Sequence, residues 1–245
     1  MRRFWDARAR ENAKWFIHSE LSYQDSDDAE FWRSGEDSLE QTLSLFEAGF
    51  DGTERVLDLG CGIGRITRAL ASRAAFVVGV DVSEEMIARG RRALTHLANV
   101  ELAVGNGLDL REWDEGSFDA VYSFIVFQHI PDPAVTCGYI VEIGRVLRPG
   151  GWTIFQLSER PDIHTAEHWA WSETLAVRLK RRLGRAPRGV LEAPWLGSAV
   201  PRSDLLAALE AGGLALDGTV GDGSQFCIVL AHRPTGGDRS APHVD

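Results

Sequence analysis

The sequence predicts an α/β fold built on a doubly wound, mostly parallel sheet of seven strands, with an antiparallel last strand. Short apolar runs alternate with helical segments from residue 55 onward, and a glycine-rich turn follows the first of these runs. The last two runs are joined by the short turn 221–224. Alternation of this kind is typical of parallel strands with crossover helices, whereas a short turn joins antiparallel strands.

Two helices are expected before the sheet, at residues 3–18 and 36–50, with an acidic loop at 25–30 between them. In the second helix an apolar stripe follows an i, i+4, i+7, i+11 pattern, which places one face against a core. The stripe consists of Leu39, Leu43, Phe46 and Phe50. Residues 1–50 are therefore predicted to form a helical cap on the sheet.

The seven strands are expected at residues 55–59, 76–80, 100–104, 118–125, 151–157, 214–220 and 225–231. Helices are expected to begin at Ile63 and Glu84 and to cover residues 134–147 and 203–211. Ser83 can cap the helix at Glu84, because its hydroxyl can accept from a free N–H of the first turn. Residues 51–158 and 203–232 are thus predicted to form the main domain.

Residues 159–202 interrupt this alternation and combine histidines, tryptophans, prolines and a basic run, so we expect a lid inserted after the fifth strand. Residues 233–245 are rich in Gly, Pro, Ser and charged residues and are expected to be disordered.

The net charge of −10 disfavours a nucleic acid partner, since tracking a phosphate backbone requires positive charge. The exception is the basic run 178–188, which is either a solvated helix face with its exit loop or an attractor of an anionic substrate. No apolar run approaches the ~20 residues of a membrane span, and three widely spaced cysteines fit a reducing compartment. These features predict a cytoplasmic protein that is neither exported nor anchored to a membrane.

The glycine-rich turn carries three glycines in the spacing Gly60-x-Gly62-x-Gly64. Proteins that bind nicotinamide or flavin dinucleotides use Gly-x-Gly-x-x-Gly instead. Asp58 would repel a pyrophosphate, whereas it suits the ammonium group of a cofactor that contains an amino acid. Asp81 ends the second strand, where a carboxylate can accept hydrogen bonds from ribose hydroxyls. The charge therefore favours S-adenosylmethionine.

These residues resemble the class I S-adenosylmethionine-dependent methyltransferases, which have a Rossmann-like fold. Asp58 to Gly64 match the family's glycine motif, and Asp81 matches its ribose-binding acid. Residues 105–108 resemble its adenine-contacting segment, although Asn106 stands where an acidic residue is common. Residues 117–124 and 146–151 resemble its fourth strand and the turn before its fifth. The resemblance covers residues 55–157.

The resemblance implies S-adenosylmethionine as the cofactor, with S-adenosylhomocysteine as the product. The residues that it assigns to the cofactor site are Asp58, Gly60, Cys61, Gly62, Gly64, Arg65, Asp81, Val82, Met86, Asn106, Gly107, Leu108, Ser123 and Phe124.

His129 is the candidate catalytic residue, because it lies just past the fourth strand, where the methyl group should point. An imidazole there can take the proton of a hydroxyl acceptor, or His129 can simply cap the turn before Pro131. The candidate substrate residues are Trp15, Tyr23, Trp32 and Trp195, which can wall a pocket or only pack accessory helices, and His164 and His168, which can position substrate.

The family members that methylate exocyclic amines of nucleobases or protein glutamine carry an Asn/Asp-Pro-Pro-Tyr/Phe motif, where this chain has Ser-Phe-Ile-Val at 123–126. Oxygen of a small molecule is therefore the leading acceptor, followed by nitrogen or carbon. A non-catalytic S-adenosylmethionine-binding protein and an NAD(P)-dependent oxidoreductase remain as alternatives. No metal is expected, since no residues have metal-ligand spacing, and the oligomeric state stays open.

Overall fold

Seven strands form one sheet in the computed structural model, which describes residues 1–24, 27–169 and 174–235. The strands are β1 (Arg55–Leu59), β2 (Phe76–Asp81), β3 (Val100–Val104), β4 (Phe118–Ser123), β5 (Leu147–Leu157), β6 (Ala215–Val220) and β7 (Cys227–His232). The α-helices are α1 (Arg2–Ile17), α2 (Asp28–Ser44), α3 (Arg65–Ala71), α4 (Glu84–Ala93), α5 (Pro133–Val146), α6 (Ala166–Trp169), α7 (Leu175–Arg182), α8 (Ala193–Leu196) and α9 (Arg202–Ala211).

The strands lie in the order β3-β2-β1-β4-β5-β7-β6, and only β7 runs against its neighbours. This arrangement confirms the predicted doubly wound sheet with an antiparallel last strand. The chain leaves β1 toward β2 on one side, while β4 pairs with β1 on the other. Ligands of open α/β sheets bind at such a switch point, beyond the carboxyl ends of the strands.

The core lies on both faces of the sheet, because β1 is buried from Val56 to Leu59 and its side chains alternate between the two faces. Leu57 packs in the layer that contains α5 and α9, and Val56 packs in the layer that contains α2 and α3. Near-continuous apolar strands are expected where helices cover both faces.

The second helix differs from its expected position, since it occupies Asp28–Ser44 rather than residues 36–50. The Asp27 carboxylate accepts from Ala29 N at 2.9 Å and caps the helix. Asp28 and Glu30 lie in the first turn, where the helix dipole favours negative charge. Part of the expected acidic loop is therefore helix, and residues 25–26 lie outside the described residues.

Two strand boundaries also differ from those predicted from the sequence. β4 ends at Ser123, because Ile125 has φ +58° and leaves the extended conformation. β5 begins at Leu147, which already pairs with Phe118.

The described part of the expected lid, residues 159–202, contains short helices joined by turns and loops, and residues 170–173 lie outside the described residues. Of the expected tail, Arg233 is held in place, since its N–H donates to Gly151 O at 2.8 Å and its guanidinium donates to Leu147 O at 2.7 Å. Residues 236–245 lie outside the described part of the chain. Among the described helices, none combines the length and the hydropathy that crossing a bilayer requires.

Candidate cofactor and acceptor site

The turn between β1 and α3 is tied to the neighbouring strand by backbone hydrogen bonds. Gly60 N and Cys61 N both donate to Val80 O, at 2.7 and 3.0 Å. Gly60 has φ +78°, and a Cβ on it would lie 2.3 Å from Val126 Cγ2. Glycine is therefore required at this position on conformational and on steric grounds.

Two carboxylates flank the turn. Asp58 is buried and accepts from Thr67 Oγ1 at 2.6 Å, and burial raises the pKa of its carboxyl to about 7. Asp81 accepts from Gly62 N at 2.9 Å and from Ser83 N at 2.8 Å, and burial raises its pKa to about 6 against the opposing effect of these bonds. Both carboxylates are therefore costly to ionise until a ligand compensates the charge.

A cavity with about 1100 Å³ of empty space, its mouth included, opens beyond the carboxyl ends of β1, β2 and β4. The structure brings eleven of the sequence-assigned residues to its wall: Asp58, Gly60, Cys61, Gly62, Arg65, Asp81, Val82, Met86, Gly107, Phe124 and His129.

Four residues that the sequence assigns to the cofactor lie outside this wall. Gly64 caps α3, and Ser123 donates to Leu59 O at 3.0 Å between two strand ends. Leu108 is exposed. The Asn106 amide oxygen already accepts from Leu108 N at 2.7 Å and from Asp109 N at 3.0 Å, so it is not free to face an adenine. Asp109 lines the cavity in its place.

The first helix covers the cavity, a contribution that the sequence motifs do not reveal. Met1, Trp5, Phe16 and Ile17 line the wall. The aromatic residues of the segment 3–18 were the available signal, since such side chains must cover something, but nothing in the sequence indicates what.

Polar contacts fasten this cover to the strand ends. The Arg2 guanidinium donates to Val82 O at 3.1 Å and to Gly105 O at 3.0 Å. Asp6 accepts from Ser83 Oγ at 2.7 Å. The helix is therefore fixed directly to the segments that follow β2 and β3.

A second cavity, with about 1160 Å³ of empty space, adjoins the first. Six residues line both cavities and so form a common wall: Phe16, Ile17, Arg65, Phe124, Ile125 and His129. The second cavity also holds the sequence-assigned residues His164 and Trp195. It mixes aromatic rings with polar side chains such as Glu20 and Gln128, which suits an organic acceptor with polar substituents.

The hydrogen-bond network around His129 assigns its tautomer. Nδ1 lies 2.9 Å from Trp195 O, a group that only accepts, so Nδ1 carries the hydrogen. Nε2 keeps its lone pair and lies 3.3 Å from Gln128 Nε2. Burial lowers the pKa of the imidazole to about 4, so His129 is neutral at physiological pH.

One buried amide supports the segment that carries His129. Gln156 Oε1 accepts from Ile125 N at 3.2 Å, and Gln156 Nε2 donates to Gln128 Oε1 at 3.1 Å. Positive φ is rare for a β-branched residue such as Ile125, so this contact helps to hold a strained backbone at the common wall.

Arg65 is a buried cation at the common wall. Its Nη1 donates to Ser34 O at 2.8 Å and to Ser38 Oγ at 3.0 Å, while its buried Nε has no hydrogen-bond partner among the described residues. A guanidinium in this setting favours an anionic group in either cavity.

The other sequence-assigned substrate residues lie away from both cavity walls. Trp15 stacks on Trp195 with ring centroids 5.6 Å apart, and Tyr23 donates to Glu11 Oε1 at 2.7 Å. Trp32 packs under the Arg68 guanidinium, 5.3 Å from its ring centre, and His168 is exposed. Trp15 thus supports Trp195, Tyr23 joins two segments of the helical cap, and Trp32 joins the cap to α3.

One group of possible metal ligands exists among the described residues, namely Glu159, Asp222 and Cys227. Arg202 Nη1 lies 3.5 Å from Glu159 Oε1 and 3.4 Å from Asp222 Oδ1, so a guanidinium already compensates these carboxylates. This group lies outside the walls of both cavities.

Comparison with known proteins bears on the segment that holds the glycine turn. Residues 56–151 match a family described as a methyltransferase domain. A ubiquinone biosynthesis O-methyltransferase of Neisseria meningitidis is 36% identical over 105 residues, which are 42% of this chain and 43% of that enzyme. An enzyme of the same name from Maricaulis maris is 31% identical over 179 residues, 71% of this chain and 64% of its own length. The chain thus spans less than half of the Neisseria relative.

The crystal structure of an S-adenosylmethionine-dependent methyltransferase from Clostridium acetobutylicum has the same fold. It superposes with a TM-score of 0.58 at 16% identity and covers 89% of this chain and 97% of its own. Together with the strand order and the glycine turn, these similarities assign residues 56–151 to a methyltransferase domain family and show that the chain has the fold of class I S-adenosylmethionine-dependent methyltransferases.

Proposed function

We propose that this protein transfers the methyl group of S-adenosylmethionine to a hydroxyl oxygen of a small molecule. The observation that carries the proposal is the common wall, because two adjoining cavities meet at a neutral histidine. A cofactor in the first cavity and an acceptor in the second would meet there. Proximity of this kind supplies much of the catalysis in a direct displacement.

Charge assigns an orientation to the cofactor. In this proposal Asp58 would accept from its ammonium group, and Asp81, which retains lone pairs, would accept from its ribose hydroxyls. Arg65 is the cationic partner for its carboxylate. S-adenosylmethionine supplies an electrophilic methyl group on a sulfonium, and the aromatic rings of the wall favour that positive charge.

His129 acts as the general base. As the acceptor oxygen forms a bond to the methyl carbon and the carbon–sulfur bond breaks, the hydroxyl proton moves to His129 Nε2. The hydrogen bond from Nδ1 to Trp195 O stabilises the resulting imidazolium. The products are a methyl ether and S-adenosylhomocysteine, and the proton then passes to solvent.

Oxygen is preferred over nitrogen or carbon because a hydroxyl acceptor needs a base, and His129 supplies one. The names of the Neisseria and Maricaulis relatives, ubiquinone biosynthesis O-methyltransferases, also favour a small hydroxylated acceptor. The aromatic rings at the second cavity suit a planar acceptor.

The test has two stages. Calorimetry should show binding of S-adenosylmethionine and S-adenosylhomocysteine but not of NADH. A panel of small phenols, alcohols, amines and thiols is then supplied, and S-adenosylhomocysteine is quantified. Release with a phenol or alcohol supports the proposal. Turnover with amines alone assigns N-methylation, and cofactor binding without turnover favours a non-catalytic binding protein.

A further inference from the structure

Helix α7 carries a leucine stripe that faces solvent. Leu175 and Leu179 in the helix and Leu183 at its C-cap are 82%, 60% and 60% exposed. They recur every fourth residue, so they occupy one side of the helix within about 80°. A stripe of this kind normally faces the core of a protein, but none of the α7 residues is buried.

Basic side chains flank this stripe. At about 100° per residue, Arg178 and Arg182 lie on one side of the leucines and Lys180 lies on the other. Val177 and Arg181 point the opposite way, and both are half-buried. Arg181 Nε donates to Pro187 O at 2.6 Å, which ties this inner side to the following loop.

The charge of the segment contrasts with that of the whole protein. Residues 178–188 contain six basic residues and no acidic residue, in a chain with a net charge of −10. The sequence alone is consistent with two roles for this run, a solvated helix face or an attractor of an anionic substrate. Three exposed leucines on one side are unexpected for a purely solvated helix. The basic residues line neither of the two adjoining cavities, which argues against a direct contact with substrate there.

We propose that α7 is a peripheral attachment site for an anionic membrane surface. The leucine stripe would enter the boundary between headgroups and acyl chains, while Arg178, Lys180 and Arg182 would contact lipid phosphates. An apolar face between basic flanks is the arrangement of helices that lie in the plane of a membrane. An isolated helix of eight residues is marginal in water, so such a surface would also stabilise it.

This attachment departs from the expectation, made from the sequence, that the protein has no membrane partner, and it needs no membrane-spanning helix. It concerns a surface contact by α7 and does not depend on the proposed methyl transfer.

The experiment is flotation of the full-length protein with vesicles. One set contains phosphatidylcholine alone, and the other contains phosphatidylcholine with an equal amount of phosphatidylglycerol. We expect binding to the anionic vesicles only, and weaker binding at high salt. The variant R178Q/K180Q/R182Q should bind about 100-fold more weakly, since each cation contributes about fivefold. The variant L175S/L179S/L183S should lose at least about tenfold through its missing apolar contact.

The matched control is L45S/L206S, which removes two exposed leucines from other helical regions and should bind like the wild type. Circular dichroism and S-adenosylhomocysteine binding must be unchanged in every variant, which separates loss of attachment from unfolding. Absence of binding to anionic vesicles, or full binding by the leucine variant, overturns the proposal. It is also overturned if the wild type is a dimer that the leucine variant dissociates, because the stripe is then a contact between copies.

Discussion

The carboxyl edge of the sheet and the cover above it position their residues in different ways. At the sheet edge, main-chain groups hold the turn, since Gly60 N donates to Val80 O and Asp81 accepts from two backbone N–H groups. In the cover formed by α1, side chains make the contacts, since Arg2 donates to Val82 O and Trp15 stacks on Trp195 of α8. The half proposed to bind the cofactor is therefore fixed mainly by backbone contacts, and the half proposed to bind the acceptor mainly by side-chain contacts. Substitutions in the two halves should have separable effects.

The largest effect is expected at the sheet edge, from Asp81→Ala. The change removes the acceptor for the ribose hydroxyls and for Gly62 N, so the affinity for S-adenosylmethionine should fall by about 1000-fold. Calorimetry measures the change. Asp114→Ala, an exposed carboxylate elsewhere, is the control and should bind normally. If Asp81→Ala binds as tightly as the wild type, the cofactor lies elsewhere.

His129→Gln tests the junction of the two halves. The turnover number should fall by about 100-fold because the base is lost, while cofactor affinity should change by less than about threefold. Since the pKa of His129 is about 4, wild-type turnover should show no histidine-dependent decline between about pH 8 and 5. Equal losses of cofactor affinity and turnover would instead mean that His129 only shapes the turn.

We expect Asp58 to make cofactor binding depend on pH. Its pKa is about 7 in the free protein, and a bound ammonium group favours the ionised form, so binding should release a proton below about pH 7. Affinity should rise about tenfold from pH 6 to pH 8. Calorimetry in buffers of different ionisation enthalpy counts the protons. Asp58→Asn should bind more weakly and lose most of this dependence. An unchanged pH profile in that variant would assign the proton to another group.

Trp195→Ala probes the packed half alone. Loss of its stacking should raise the acceptor KM about fivefold and lower the free energy of unfolding by about 2 kcal/mol. The affinity for S-adenosylmethionine should stay within about twofold of the wild type. Trp195→Phe should recover most of both losses, and steady-state kinetics with chemical denaturation give the comparison. A large loss of cofactor affinity would contradict the separation of the two halves.

The smallest effect is expected from His168→Ala, because this side chain is exposed and outside both cavities. The acceptor KM should change by less than about twofold. His164→Ala is its counterpart, since His164 lines the acceptor cavity and its Nε2 lies 2.8 Å from Ser158 Oγ, and should have the larger effect. Equal effects would show that neither histidine orients the acceptor.

The sequence predicts the sheet better than its cover, for a physical reason. Strands and the glycine turn depend on local periodicity and backbone conformation, which the residues from Val56 to Gly64 display directly. Trp5 lines the cavity because of where α1 packs, and that packing is decided by contacts between residues that lie far apart in the sequence. The presence of Asp109 rather than Asn106 at the cavity wall depends on an Asx turn that spacing alone does not reveal. Gln156 looks like any residue of a buried strand until its partners are known.

The cover has a consequence for what counts as the functional unit of this chain. The segment that similarity identifies, residues 56–151, lacks four residues of the wall of the first cavity, namely Met1, Trp5, Phe16 and Ile17. A fragment cut to that segment would present an open cleft rather than a cavity, and β7, which completes the pairing of β5, would also be missing. The segment that similarity identifies and the part of the chain that encloses the cavity therefore have different boundaries. The N-terminal helix belongs only to the second.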